Sequence, residues 1–477
     1  MPSPSRFRQW LDHRTGIDSL LSHALDEPIP GGAKIAYVFG SGLLFLFLSQ
    51  VITGVFLAMY YVPSADHAHT TVAYITKEVT GGSFLRSIHA YGSSAVVIVL
   101  LLHLIQTFFY GSYKGRRELV WLAGCALLVA MLGMAFTGYL LPWDQKAYFA
   151  TTVGTNILSE VPWLGSLLKR LLRGGSEMGT LTLSRFFVLH VFVIPAFIFA
   201  LVAIHVYSFR KAGAAGPIAE DPLNPKLLPE SFYPKQLVMD MGFAVLIIVA
   251  LGFTAQFWPM DLGPRANPAE TQFLPRPEWY YVPAFQYLKY WHGSTSLIGI
   301  LVIPGILGLL LVGLPFFDRS LERRPWKRPV SVGIFTVVLL ALGGLGFVSH
   351  RQDMGNPGVA AQLKAQHDAT AEFMKAKFEP ELSGGSLVAQ NAALTNPAAA
   401  NGKAIFEREA CNACHGDNGT GTAAGPKLVG IALKFDADQL TALLHKPTEK
   451  MTAGGMPAVV LKDNEMKSLV AYLQTLK

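Results

Sequence analysis

The chain has 477 residues, of which 51% are hydrophobic and 15% are charged, and its mean hydropathy is +0.36. This composition is too apolar for an ordinary soluble globular protein and predicts an integral membrane protein. The formal charge of +7 does not indicate nucleic-acid binding, because no basic run is interleaved with an aromatic platform and a Lys/Arg excess in membrane proteins usually lies in cytoplasmic loops or faces anionic lipid.

Residues 1–33 mix basic and apolar side chains without an apolar core followed by a cleavage site. Arg6 and Arg8 alternate with Phe7 and Trp10, as in helices that lie in the membrane interface. We therefore predict an interfacial amphipathic helix and not a signal peptide.

Seven later segments are long and apolar enough to cross about 30 Å of hydrocarbon as helices. They are residues 35–61, 84–110, 119–141, 184–209, 237–257, 295–316 and 330–348. An odd number of crossings puts the two termini on opposite sides. The N-terminus and the second, fourth and sixth links contain nearly twice as many lysines and arginines as the other links, which predicts a cytoplasmic N-terminus.

Four histidines lie within two of these apolar segments. His89 and His103 are 14 residues apart in the second span, and His190 and His205 are 15 apart in the fourth. At 100° per residue, each pair lies roughly on one helix face, about 21 Å apart along the axis. Two such helices facing each other supply two bis-histidine sites, one above the other, which suits electron-transfer haem.

Any single intramembrane histidine could instead be a packed core residue, but the matched pairs argue against this alternative. The predicted orientation assigns His89 and His190 to an outer haem and His103 and His205 to an inner haem. Glycines repeat the spacing: Gly40 and Gly54 in the first span, and Gly124 and Gly138 in the third. A porphyrin edge needs backbone without Cβ beside it, although glycines in membrane helices also serve helix packing.

Three cations lie near the ends of the second span. Arg86 is one turn before His89 and is placed to reach an outer haem propionate, while Lys114 and Arg117 lie where an inner one would emerge. The alternative for these cations is snorkelling to the interface.

Beyond residue 350 the composition changes. Residues 351–398 predict a linker, with a possible short helix near 358–377, and residues 399–477 predict a compact domain. Cys411-Asn412-Ala413-Cys414-His415 is the haem c attachment pattern, with two thioether links and a proximal histidine. Met456 is the candidate distal ligand, with Met451 as competitor. Cys125 stands alone in an apolar run and predicts a small core side chain.

The motif of residues 138–145, Gly-Tyr-Leu-Leu-Pro-Trp-Asp-Gln, follows the third span, and Pro277-Glu278-Trp279-Tyr280 precedes the sixth. With the histidines, these make residues 30–350 resemble cytochrome b of the quinol:cytochrome c or plastocyanin oxidoreductases. The 15-residue spacing from His190 to His205 and the presence of Phe285 make the chain similar to the thylakoid type. In that type the two halves are separate chains, whereas here they are joined. Val38 occupies the place of the thylakoid cysteine that holds an extra haem, so no covalently attached haem is expected in the membrane domain.

The resemblance implies an all-α fold of seven transmembrane helices followed by a small soluble cytochrome c domain of class I. Gly425-Pro426-Lys427-Leu428 is similar to the loop that packs on the proximal side of haem c. The domains expected are an N-terminal amphipathic helix (1–33), a four-helix di-haem bundle (34–215), three helices with the quinol loop (216–350), the linker (351–398) and the cytochrome c domain (399–477).

The resemblance also implies that Glu278 and Tyr139 are catalytic in an outer quinol pocket with Pro277, Trp279 and Tyr280. A carboxylate on a loop is suited to accept a quinol proton and carry it to water, although it could be an ordinary interfacial side chain. The inner quinone site has no clear motif, and Arg210, Lys211 and Asp221 are only candidates.

The function expected is a cytochrome b/c fusion subunit of a quinol:cytochrome c oxidoreductase with two non-covalent haem b and one covalent haem c. Quinol oxidation would send one electron through the b haems to quinone and the other, through a Rieske partner and the c haem, to a soluble acceptor, coupled to proton translocation. Only Cys125 is uncommitted, so the chain cannot hold the Rieske cluster. The complex is expected as a homodimer in the bacterial inner membrane, with the cytochrome c domain periplasmic.

Two other functions remain open. One is a b-haem anchor that links quinone to a dehydrogenase without bifurcation, against which the Pro-Glu-Trp-Tyr motif argues. The other is a non-enzymatic sensor or transporter in which the histidines line an ion path.

Overall fold

The computed structural model describes residues 5–218, 221, 228–270, 272–379, 397–416, 419–422, 425–453 and 455–476. The chain divides into two units, Met1–Phe378 and Glu379–Lys477. Both are helical, which confirms the predicted fold class.

Seven helices of the described residues are long and apolar enough to span a membrane. They are Ile35–Ala58, Gly82–Phe109, Glu118–Tyr139, Thr180–Ala212, Lys235–Phe257, Gly293–Phe317 and Pro329–Gly355. They coincide with the seven predicted segments. The last one continues beyond residue 348 because polar side chains add further turns to the helix after the apolar stretch ends.

The first unit contains helices α1 to α15 and one two-stranded ribbon. The helices are α1 Arg6–Thr15, α2 Ile17–Leu25, α3 Val38–Ala58, α4 Ala68–Lys77, α5 Gly82–Phe109, α6 Glu118–Tyr139, α7 Gln145–Ser159, α8 Gly165–Arg173, α9 Thr180–Val188, α10 Ile194–Ala212, α11 Lys235–Phe257, α12 Val282–Leu288, α13 Ile303–Phe317, α14 Pro329–Gly355 and α15 Pro357–Lys375. The strands β1 Pro28–Pro30 and β2 Pro229–Ser231 pair antiparallel.

Short helical turns complete several of these elements. The 3₁₀ turns are Ile35–Tyr37, Gly293–Thr295 and Pro325–Lys327, and π turns occupy Leu189–Val193 and Ile298–Val302. Each π turn comes directly before a helix with proline at its second residue, Pro195 in α10 and Pro304 in α13. Because proline lacks an N–H, the regular α-helical hydrogen bond to the preceding turn cannot form there.

The predicted N-terminal helix is present as two helices. Gly16, with φ of +64°, separates α1 from α2. Phe7 and Trp10 in α1 are 69% and 51% exposed within the chain, which leaves an apolar surface for the membrane interface.

The membrane helices pack so that α3 lies against α5 and α6 lies against α10. Of the last three spanning helices, α11 packs against α3 and α5, and α13 packs against α6. Buried apolar side chains fill these contacts, among them Leu46, Val96 and Ile247. Cys125 is buried beside Trp121 and Phe108, as predicted for a small core side chain.

A polar cluster around Asp318 joins the four-helix and three-helix halves. Asp318 accepts hydrogen bonds from Lys114 Nζ (2.5 Å) and Tyr113 Oη (2.6 Å), and Arg328 donates to Tyr113 Oη (2.7 Å) and to the carbonyl of Phe108 (3.1 Å). Burial alone raises the pKa of Asp318, but the bonds from Lys114 and Tyr113 outweigh it and hold the pKa below its ordinary value. We call these four charged or phenolic residues the Asp318 cluster.

Helix α15 corresponds to the predicted short helix but belongs to the first unit. Asn356 caps its N-terminus by accepting from the N–H groups of Gly358 and Val359. At its C-terminus, Lys77 Nζ donates to the carbonyls of Phe373 (2.5 Å) and Ala376 (2.8 Å). The linker therefore starts later than residue 351, and its central part, 380–396, lies outside the described residues.

The second unit contains α16 Pro397–Arg408, α17 Cys411–His415, a 3₁₀ turn Ile431–Leu433, α18 Ala437–His445, α19 Glu449–Ala453 and α20 Asp463–Leu473. Helices α16 and α20 pack closely at Gly402, where an added Cβ would lie 1.9 Å from the carbonyl oxygen of Ser468. Phe406 and Tyr472 pack beside this crossing with tilted rings, whose centres are 5.4 Å apart. Glycine at position 402 is thus required by the close approach of the two helices.

Candidate functional site

The structure brings the four predicted histidines together in two pairs. The ring centres of His89 and His190 lie 6.2 Å apart. A metal–imidazole bond is about 2 Å long, so two imidazoles on one metal ion have ring centres roughly 6 Å apart. The outer pair therefore fits a shared iron with both axial positions filled.

The inner pair, His103 and His205, lines a cavity of about 550 Å³. The same cavity is lined by Gly40 and Gly124 and by apolar side chains such as Leu127. A mostly apolar space of this size between two imidazoles suits a flat, apolar prosthetic group.

A π turn explains why the histidine spacing differs between the two helices. His190 lies within the π turn Leu189–Val193, which joins α9 to α10. A π turn holds one residue more than an α turn, so 15 residues from His190 to His205 cover the rotation that 14 cover from His89 to His103. The two helices thereby present their histidines in the same register.

Each of the four predicted glycines faces one of the four histidines. A Cβ on Gly138 would lie 2.4 Å from Cε1 of His190, and a Cβ on Gly54 would lie 3.1 Å from Cε1 of His89. The corresponding distances are 3.3 Å from Gly124 to His205 and 3.6 Å from Gly40 to His103. Because these glycines have no Cβ, the imidazole rings can pack directly against the backbones of α3 and α6. Contact of these glycines with a porphyrin edge stays a prediction.

Hydrogen bonds fix the orientation of the outer imidazoles. His89 Nδ1 lies 2.9 Å from Thr53 Oγ1, and His190 Nδ1 lies 3.0 Å from the carbonyl oxygen of Met134. With Nδ1 engaged in this way, Nε2 of each ring is the atom left to bind iron.

The three cations predicted to contact haem propionates have different partners in the structure. Arg86 is buried and donates to the carbonyls of Met260 (2.7 Å) and Asp261 (2.6 Å). Arg117 lines the inner cavity and donates to the carbonyl of Gly213. Lys114 is not among the residues lining the cavity, and its ammonium is bound in the Asp318 cluster, so its contact with a propionate stays a prediction.

The predicted quinol-site residues lie together at the other end of α6. Glu278 Oε1 pairs with Lys146 Nζ at 2.8 Å, and Lys146 Nζ also lies 5.8 Å from the ring centre of Tyr139. Tyr139 Oη reaches the carbonyl of Arg276 at 3.5 Å, directly before Pro277. The structure thus joins the two sequence motifs into one site.

Neighbouring contacts hold the loop that carries Glu278. Arg276 makes a bidentate pair with Asp353 in α14, with distances of 2.8 and 2.7 Å, and Trp279 Nε1 donates to Ser94 Oγ at 3.3 Å. Burial raises the pKa of Tyr280, and the negative charge of Glu278 adds to this effect. Tyr280 therefore stays a neutral phenol.

In the second unit, the attachment motif forms the short helix α17 after Ala410, whose φ is +56°. His415 Nδ1 lies 2.8 Å from the carbonyl oxygen of Pro426, which leaves Nε2 for iron. Gly425 packs so closely on this turn that a Cβ would lie 2.7 Å from the carbonyl oxygen of Cys414. Burial raises the pKa of the Cys411 thiol. The loop at Gly425-Pro426 thus packs on the proximal histidine, as the resemblance implied.

Comparison with known proteins follows the same division of the chain. The family model "Cytochrome b/b6/petB" matches residues 24–213, "Cytochrome b(C-terminal)/b6/petD" matches 265–365, and "Cytochrome c" matches 399–477. A cytochrome bc complex cytochrome b subunit from Chlorobaculum thiosulfatiphilum is 34% identical over 359 residues, which cover 71% of this chain and 81% of the relative. The chain belongs to the cytochrome b family.

Other similar proteins support the assignment to the cytochrome b family. The menaquinol:cytochrome c reductase cytochrome b subunit of Bacillus subtilis is 40% identical over 45% of this chain and 99% of the relative. The cytochrome b/c1 of Bradyrhizobium diazoefficiens is 33% identical over 71% of this chain and 50% of the relative. A solved structure, "Hyperthermophilic respiratory Complex III", matches with a TM-score of 0.64 and 27% identity over 77% of this chain and 96% of the other.

These comparisons confirm the resemblance inferred from the sequence. The chain is an integral membrane cytochrome b joined to a cytochrome c domain, and the two families imply haem b and haem c as cofactors.

Two site residues of the cytochrome b core were not predicted from the sequence. Lys146 follows the Trp-Asp-Gln motif directly, but only the fold brings it to Glu278. Asp240 in α11 lines the inner cavity and accepts from Gln236 Nε2 at 2.9 Å. The signal for Asp240 was present, since a carboxylate within an apolar span is costly and usually functional.

The three residues proposed for the inner quinone site are not equivalent. Arg210 lines the inner cavity and pairs with Glu27 at 3.1 Å. Lys211 lines a neighbouring groove along α10, whereas Asp221 is not among the residues lining either space.

Met456 stays the predicted distal ligand of the cytochrome c domain, with Met451 as the alternative. Met456 packs with Cys411 against the apolar core of the domain, and its N–H donates to the carbonyl of Met451 at 3.0 Å. Met456→Ala should lower the potential of the c haem and abolish the far-red absorption of thioether-ligated ferric haem, because a thioether ligand raises the potential. Met451→Ala is the matched control and should retain both. Loss of the band in Met451→Ala alone would assign the ligand to Met451.

Proposed function

We propose that the chain is the catalytic subunit of a quinol:cytochrome c oxidoreductase, a bc-type complex that oxidises quinol at an outer site. The observation that carries the proposal is an arrangement within the first unit: two partly buried histidine pairs, on α5 and on the segment from the π turn to α10, with Glu278 and Tyr139 next to each other at the end of α6. The cytochrome c domain in the same chain supports an electron exit through haem c.

The residues of the membrane unit each have a defined role in this proposal. His89 with His190, and His103 with His205, would each hold one non-covalent haem b. Haem bound at the two pairs supplies an electron path across the membrane, from the outer quinol pocket to quinone at the inner cavity. Arg86 and Arg117 would contact the propionates.

At the outer pocket, Glu278 accepts a proton from the quinol hydroxyl, and Tyr139 lines the pocket beside it. Oxidation of quinol releases two protons, and an ionised carboxylate that is partly exposed to water is suited to carry one of them out. Asp240 and Arg210 line the same cavity as His103 and His205, and in this proposal they bind quinone next to the inner haem, with Asp240 supplying protons.

The second electron is proposed to pass through a Rieske iron-sulphur partner to haem c, held by Cys411, Cys414, His415 and Met456. It then passes to a soluble cytochrome c or other acceptor. Two relatives are named as cytochrome b subunits of a cytochrome bc complex and of a menaquinol:cytochrome c reductase, which supports a multi-subunit complex. The proposal includes a homodimeric complex that translocates protons. The proposed location is the bacterial inner membrane, with the N-terminus cytoplasmic and the cytochrome c domain periplasmic.

The deciding experiment measures haem content and electron flow in the purified complex. Pyridine haemochrome spectra should give two b haems for each c haem. Quinol should reduce haem c only when the Rieske partner is present, and reduction of the b haems from the outer site should also require that partner, because the first electron otherwise has no acceptor. Quinol reduction of the b haems with no electron transfer to haem c, even with the Rieske partner, would favour the anchor function instead.

Glu278→Gln tests the proton acceptor. The amide is isosteric with the carboxylate but cannot take up a proton, and loss of a general base typically costs 10²–10⁴-fold, so we expect quinol oxidation to fall by about 100-fold. The b-haem spectrum should be unchanged, because Glu278 contacts no histidine ligand. Steady-state quinol:cytochrome c activity across pH measures the effect. A rate equal to that of the unmodified protein at every pH would refute the role.

A further inference from the structure

Lys146 lies at a position where a lysine is locally unfavourable. It is the second residue of α7, and the N-terminus of a helix carries partial positive charge. A cation in the first turn is therefore disfavoured unless an anion lies next to it. Glu278 supplies that anion from a different part of the chain, 132 residues away.

The backbone that carries Lys146 is rigidly held. Asp144 caps α7 by accepting from Ala147 N–H (2.8 Å) through one carboxylate oxygen and from Gly263 N–H (3.1 Å) through the other. The N–H of Gln145 donates to the carbonyl of Pro264 at 3.0 Å. The ammonium is thus attached to a fixed point beside the pocket, while its side chain remains 49% exposed.

Among the described residues, the ion pair of Glu278 is with Lys146. Glu278 also acts electrostatically on two phenols, Tyr139 and Tyr280. The cations of the neighbouring elements have other contacts: Arg276 is bound bidentately to Asp353, and Lys289 lies over the ring of Phe285. Lys146 is therefore the described cation in direct contact with the carboxylate of Glu278.

We propose that Lys146 is a positioning residue for quinol oxidation, whose ammonium holds the ionised carboxylate of Glu278 on the water-exposed side of the pocket. This inference rests on the proposed role of Glu278. When the quinol O–H bond breaks, its proton binds a Glu278 oxygen and the carboxylate becomes a neutral acid, which the ammonium no longer attracts. The proton then passes to water, and the restored carboxylate pairs again with the ammonium of Lys146.

The proposal predicts a change in the pH profile of quinol oxidation. The ammonium and a proton compete for the same carboxylate, so removal of the cation should move the acidic limb of the profile to higher pH. A partly exposed ion pair is worth a shift of about half a pH unit. The rate of Lys146→Met should therefore fall about threefold at acidic pH and match the unmodified protein at alkaline pH.

The experiment uses the purified complex with five variants. Lys146→Arg should restore the profile, and Lys169→Met, which removes a lysine from the separate helix α8, should leave it unchanged. In the Glu278→Gln background, Lys146→Met should have no further effect. The b-haem spectrum of every variant reports whether the site has folded.

The outcomes separate the inference from the proposed function. An unchanged profile in Lys146→Met, while Glu278→Gln lowers the rate, overturns the inference alone. No effect of Glu278→Gln overturns both. If Lys146→Met loses haem, the unmodified protein is measured at high ionic strength instead, because salt weakens a partly exposed ion pair. The profile of the unmodified protein should then move to higher pH, and a profile insensitive to salt would overturn the inference.

Discussion

Replacing His89 with alanine should remove one of two b-type haem signals and abolish quinol oxidation, while the c-type signal remains. His89 is held by Thr53 and faces His190 at a distance that fits one shared iron. Without it, one axial position of the outer site has no ligand, and the reduced-minus-oxidised b-type spectrum should fall to about half. Redox titration should show that one of the two b-type midpoint potentials has disappeared and that the other is unchanged.

The control for this experiment is a histidine outside the pairs. His67→Ala changes an exposed residue before α4 and should retain both b-type signals. His103→Ala should remove the other signal, so the two variants should be complementary. If His89→Ala kept both b-type signals at full amplitude, the assignment of the outer pair would be wrong.

Gly138→Ala should disturb the outer haem site strongly, whereas Gly40→Ala should be tolerated. The Cβ added at Gly138 would lie 2.4 Å from Cε1 of His190, so the ring or helix α6 would have to move. The Cβ added at Gly40 would lie 3.6 Å from His103, which is an ordinary van der Waals contact. Overpacking of this kind costs about 1–3 kcal/mol, enough to displace a ligand that must meet iron within a fraction of an ångström.

Optical spectra and redox titration of the two variants measure the contrast. In Gly138→Ala the outer b haem should be lost or its potential shifted, and in Gly40→Ala both b haems should keep their potentials. Equal behaviour of the two variants would show that these glycines serve helix packing alone. Haem c in the same chain gives the internal reference for protein amount.

The membrane architecture could be predicted because it depends on single-residue properties. Each span is a continuous apolar segment, and the histidine spacing follows from helix rotation alone. The pairing of Gly54 with His89 and of Gly138 with His190 also follows from equal spacing along neighbouring helices. These features need no knowledge of how loops fold.

The remaining features depend on contacts between distant segments. Lys114 is close in sequence to the end of α5, but its partner Asp318 is 204 residues away, so its pairing could not be inferred. Lys146 is brought to Glu278 by the loops between the spans. The π turn at His190 could not be predicted either, since the apolar residues around it suit an α-helix equally well.

The Asp318 cluster has a consequence for the joined state of the two halves. In the thylakoid type, to which the sequence is similar, the halves are separate chains. Here the packing of α11 and α13, the bonds between Tyr113, Lys114, Asp318 and Arg328, and backbone bonds such as that from Gln145 to Pro264 hold the halves together without a need for the connecting peptide. The peptide that follows α10 therefore acts as a tether, which raises the effective concentration of one half near the other. Gene fusion or fission at this link would change how fast the halves find each other, but not the interface that they form.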